Sequence, residues 1–222
     1  MKTAILVDGG FYRRRAQKVF GDKTAEERAD ELSQYCHRHL HYHGKRVADL
    51  YRIFYYDCPP SAKRIYHPYL KRQVDLGKTN LYAWTEEFFS ELKKKRKFAI
   101  RLGKLAEEQA FYTLRPEIVK RLCRGTISFS DLKEDDFYLE IDQKGVDMKI
   151  GLDIASMAYK HQVDQIILIS GDSDFVSAAK LARREGIDFM LDPLGSPIKP
   201  DLFEHIDGLR SCDKAFTHQL NK

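Results

Sequence analysis

The 222-residue sequence predicts an α/β fold, a parallel β-sheet with helices on both faces and a helical, loop-rich insertion. Three observations predict it. Short apolar runs rich in β-branched residues, "AILV" at 4–7 and "IILI" at 166–169, read as strands buried on both faces. Segments of helical spacing alternate with them. The strand candidates end in aspartates beside glycine or proline: Asp8-Gly9-Gly10, Asp57 before Pro59-Pro60, Gly171-Asp172-Ser173-Asp174 and Asp192-Pro193.

In chain order, Ala4–Val7 is the first strand and a helix follows near Tyr12–Phe20. A longer helix is expected from Ala25 to about His43, and Asp49–Tyr56 ("DLYRIFYY") is the second strand. Thr85–Arg96 is helical and Phe98–Leu105 extended, while Glu107–Asp136 is polar and irregular. Phe137–Ile141 is a short strand, and Val146–Lys160 an amphipathic helix. The strand at Ile166 is followed by a helix over Phe175–Glu185, stopped by Gly186, and then by a strand at Ile187–Leu191.

A hydrophobic fraction of 43% with 32% charged residues is that of a soluble globular domain and excludes a disordered chain. No apolar stretch approaches the roughly 18 residues of a membrane span. Met1–Val7 is too short for a signal peptide, so a cytoplasmic location is expected. The four cysteines lack paired spacing and read as reduced thiols rather than a zinc or disulfide framework. The net charge of +5 is gathered in clusters at Arg13–Arg15, Lys71–Arg72, Lys93–Lys97, Arg101 with Lys104, and Arg121 with Arg124. Around an acidic site such clusters would form a footprint for a polyanion.

One aspartate at a strand exit reads as a helix cap. Here Asp8, Asp57, Asp172 and Asp174 all stand at strand exits, the edge where open α/β sheets bind ligands. Asp147 opens a helix in "KGVDMKIGLD"; Asp153, six residues on, does not share its face. Converging carboxylates repel one another unless protons or cations occupy the site, and hard oxygen ligands suit Mg²⁺ or Mn²⁺. The stretch "CHRHLHYH" (36–43) offers imidazoles four apart but no accompanying carboxylate, and reads as a solvated helix end.

"LVDGGFY", "KGVDMKIGLDIASMA" and "IILISGDSDFVSAAKLARREG" resemble the three ordered signatures of the NYN domain family, most closely its LabA-like branch within the PIN-like nuclease superfamily. The resemblance implies a single Rossmann-like (PIN-like) domain over 1–222, strand order 3-2-1-4-5, with a branch-specific insertion at 59–136. It implies a metal-dependent ribonuclease that hydrolyses RNA phosphodiesters with Mg²⁺ or Mn²⁺. Asp8, Asp147, Asp172 and Asp174 take the catalytic and metal-binding positions, with phosphate contacts expected from Lys144, Arg13, Lys94, Lys95 and Arg96. The implied partner is RNA, with no membrane, and assembly into a homo-oligomer stays open. Phe11 stands where many relatives carry Asn, so the alternative is a non-catalytic RNA- or protein-binding module on the same fold. A haloacid dehalogenase-type phosphatase would need a second Asp where Gly10 stands, and a Toprim-like site a Glu in place of Asp8.

Overall fold

In the computed structural model, which describes residues 1–217, six parallel strands form one central sheet. They are β1 (Lys2–Asp8), β2 (Asp49–Asp57), β3 (Phe98–Leu102), β4 (Gln165–Ile169), β5 (Asp188–Asp192) and β6 (Gly208–Leu209). Their spatial order is β3-β2-β1-β4-β5-β6, the expected 3-2-1-4-5 order with one short strand added at the edge. The order reverses beside β1, which pairs with β2 on one side and β4 on the other (Val7 opposite Tyr55 and Ile169). A crevice therefore opens at the carboxyl ends of β1 and β4.

Alternation along each strand builds the two covering layers. Ala4, Leu6, Phe54, Tyr56, Ile166 and Leu168 face one core, closed by α5 (Val146–Tyr159) and α6 (Val176–Arg184). Ile5, Val7, Ile53, Tyr55, Ile167 and Ile169 face the other, closed by α1 (Gly9–Phe20), α2 (Ala25–Arg38) and α3 (Asn80–Lys94). Every residue of β4 is buried, which is why its sequence is a continuous apolar run. Truncating a central one such as Ile167 to Ala would cost about 2–5 kcal/mol.

One boundary differs from expectation. The helix that should reach about His43 stops at Arg38, because the chain turns back in a small hairpin, His41–Tyr42 against Lys45–Arg46. His43 and Gly44 at its tip have φ of 46° and 76°, outside the helical region. Within 59–136, α3 and β3 are built into the core and the sheet, while Phe111–Leu114 pairs with Phe137–Glu140, just beyond that range, as a separate antiparallel ribbon. The irregular stretch also holds a short helix, α4 (Pro116–Cys123). Among the described residues no helix is long and apolar enough to cross a membrane.

Candidate active site

Asp8 ends β1 and caps α1. Its Oδ1 accepts the Phe11 amide at 3.0 Å, and its Oδ2 accepts the Ser170 hydroxyl at 3.2 Å. Ser170, fully buried just beyond β4, also accepts the Asp172 amide on its Oγ at 3.2 Å. Asp172 in turn accepts the Asp174 amide at 3.0 Å, capping the 3₁₀ turn at Ser173–Phe175. A serine hydroxyl thus ties the exits of the two central strands together. Asp147 enters from α5, whose first turn follows Gly145 at φ 80°.

The aspartates act on one another electrostatically. Burial lifts the Asp8 carboxyl above its ordinary range; bonds from Phe11 and Ser170 oppose the lift and the Asp147 charge adds to it. Asp147 is raised by burial first, then by the charges of Asp172 and Asp174. Asp147 and Asp174 also face a shared groove of about 420 Å³ with Met148, Gly151 and Phe175. Close approach requires two of the glycines. A Cβ on Gly9 would sit 2.4 Å from Tyr55 Cζ and 2.7 Å from Asp57 Oδ2; one on Gly171 would sit 2.6 Å from the Phe11 ring. Phe11 therefore packs over the backbone between Ser170 and Asp172.

Hard carboxylate oxygens of like charge suit a divalent cation, which would relieve the repulsion that Asp147 exerts on Asp8. Among the described residues no three carboxylate, imidazole or thiol groups close into a ligand set. A cation held there would rely on one or two carboxylates and retained waters, as Mg²⁺ does, rather than on a protein cage.

The other carboxylates have structural roles. Asp57 is fully buried and accepts from Tyr55 Oη (2.9 Å), the Cys58 amide (2.8 Å), Gln143 Nε2 (3.3 Å) and Arg13. Asp153 lies apart, as its helix phase requires, taking Tyr56 Oη at 2.8 Å and Arg101 Nε at 3.2 Å. Asp192, at the end of β5, is buried against Tyr35, His39 and Ser211.

The expected phosphate-contacting residues fall at different places. Arg13 Nη2 lies 2.9 Å from Asp57 Oδ2 and 3.0 Å from Oδ1, a half-buried pair. Lys94, Lys95 and Arg96 precede β3, so they stand at the amino edge of a parallel sheet, opposite the aspartates. There Lys94 pairs with Glu91 at 2.5 Å and Lys95 with Asp30. Lys144 is on the acidic side: exposed, opposite Lys104 in a two-residue ladder, and next to Gly145 at the start of α5. Two residues outside the expected set act on Asp8: Arg14 through its charge and Ser170 through its hydroxyl. The signal for Ser170 was its place between the last apolar residue of β4 and Gly171.

Comparison with known proteins gives three results. No curated protein matches the chain. A similar solved structure is a protein of unknown function from Vibrio parahaemolyticus, 15% identical over 97% of this chain and 94% of the other, with a TM-score of 0.48. The NYN domain model matches residues 79–197, just over half of the sequence. That match contains Asp147, Asp172 and Asp174 and leaves Asp8 outside. The chain belongs to the NYN domain family, and with it to the PIN-like superfamily.

Proposed function

We propose that this protein is a metal-dependent ribonuclease of the LabA-like branch, hydrolysing RNA phosphodiesters at Asp8, Asp147, Asp172 and Asp174. The observation that carries the reading is the bridging of Asp8 and Asp172 by the buried Ser170 hydroxyl at the carboxyl edge of the sheet, in a chain of the NYN family. A divalent Mg²⁺ or Mn²⁺ bound there would polarise a phosphoryl oxygen and acidify a water. Asp8 and Asp172 are the assigned ligands, oriented through Ser170, with Asp147 and Asp174 as further ligands or orienters. Lys144 and Arg14 supply positive charge for the strand's phosphates.

One observation favours a second reading, a binding module without catalysis. Both Asp8 oxygens already have protein donors, and Phe11 covers Gly171 where a polar side chain would otherwise face the acids. A thermal-shift titration separates the two. Mg²⁺ and Mn²⁺ raise the melting temperature of the nuclease at neutral pH and leave Asp172→Asn unmoved; equal responses in both would contradict the nuclease reading.

A further inference from the structure

A cavity of about 340 Å³ between α1 and the start of α3 has no part in the chemistry above. It is lined by Arg13, Gln17, Lys23, Asn80, Leu81 and Trp84, among others. We infer that it receives a base of the polynucleotide cut at the aspartates, stacked on Trp84; the inference rests on the nuclease reading.

The ring is already fixed. Trp84 stacks on Phe88 with centroids 5.1 Å apart and planes 11° off parallel, and its Nε1 donates to the Lys23 carbonyl at 2.9 Å. A rigid indole lining a half-open cavity offers a stacking platform at little ordering cost.

Charge argues for a neutral occupant. Arg13 is paired with Asp57, while Lys23 and Arg28 each lie 2.6 Å from Glu31, and Asp22 accepts from Gln17. What the cavity lacks is a flat apolar ligand with polar edges, not a counter-ion. Leu81, 67% exposed, gives it an apolar rim, and the Asn80 amide and Gln17 carbonyl offer a donor and acceptors for a base edge.

Position ties it to the aspartates. Arg13 and Gln17 follow Asp8 along α1 by about 7 and 13 Å at the helical rise. Arg13 reaches back to Asp57, whose Oδ2 borders Gly9. A strand with a phosphate at Asp8 passes the cavity within a few nucleotides.

Trp84 is the sole tryptophan of the chain, so its fluorescence reports on this cavity. The probes are a short labelled RNA, read by anisotropy, and its unlabelled copy, read by Trp84 quenching, both on Asp172→Asn protein to stop cleavage. An uncharged nucleoside is titrated against the wild type. The inference predicts RNA binding with saturable quenching at the same concentrations, and quenching by the nucleoside that changes little with salt. Leu81→Asp, on an exposed position at the mouth, should weaken RNA binding and quenching together by about tenfold, or roughly 1.4 kcal/mol. RNA binding without quenching overturns the base pocket and leaves the nuclease reading standing. Nucleoside quenching without RNA binding overturns the inference as well as the nuclease reading, leaving a cavity that takes a free base but no polynucleotide. Absence of both overturns both.

Discussion

Ser170 Oγ donates to Asp8 Oδ2 at 3.2 Å while accepting the amide of Asp172, so a single buried hydroxyl sets the spacing of the two central strand exits. Ser170→Ala should leave the fold intact at a cost of about 1–2 kcal/mol, since an Asp8 oxygen and the Asp172 amide lose their partner. Cleavage of RNA should fall by about 10–100-fold, the range for losing a group that orients a metal ligand. Denaturant melts and cleavage rates of the same preparation check the two effects separately.

The Arg13–Asp57 pair predicts a stability effect instead. Arg13→Ala should cost about 1–3 kcal/mol, because the buried Asp57 carboxylate loses its charged partner while keeping three neutral donors. Arg13→Lys should recover part of that loss, since both contacts to Asp57 come from one nitrogen, Nη2, which an ammonium on a shorter side chain replaces in part. Urea unfolding of both variants is the measurement. A wild-type midpoint for Arg13→Ala would show that the pair does not hold the edge of the site.

Charge reversal should distinguish the two edges of the sheet. Lys144→Glu should weaken RNA binding and flatten the slope of log K against log salt by about 0.7 or more. Reversing Lys94, Lys95 and Arg96 together should leave that slope unchanged, because they stand at the opposite edge. Filter-binding titrations in calcium, compared across the two variants, test the placement.

The contrast shows what was legible in the sequence. The strands at Ala4–Val7 and Ile166–Ile169 were readable because burial on both faces leaves no polar position to disguise the run. Asp147 could be separated from Asp153 by helix phase alone, and Asp153 does turn toward Tyr56 and Arg101. The basic clusters were less legible. A run such as Lys93–Lys97 carries no mark of which sheet edge it will occupy; that depends on the direction of β3, which follows it. Arg13 looked available because its partner, Asp57, is 44 residues away. The end of α2 was missed because the turn at His43–Gly44 sits inside a histidine pattern of helical spacing.

His39 predicts a pH dependence unrelated to catalysis. Burial alone would lower its pKa, but the hydrogen bond to the buried Asp192, at 2.9 Å, lifts it to about 9. A raised folded pKa stabilises the fold fully below the ordinary value of about 6.5 and loses that contribution as pH rises through about 9. The melting temperature should therefore decline between these values, and His39→Gln should flatten the decline. An equal decline in the variant would assign it to other groups.

Single-turnover cleavage of a mixed RNA and DNA panel with Mg²⁺ or Mn²⁺ tests the central claim most directly, comparing wild type with Asp8→Asn, Asp172→Asn and Asp153→Asn. The account predicts RNA cleavage that chelation abolishes. Activity should fall by about 100-fold or more in the first two variants, at unchanged far-UV dichroism, and stay within a few-fold of wild type in Asp153→Asn. A folded wild type that cuts no RNA with either metal, or an Asp172→Asn variant as active as wild type, would contradict it.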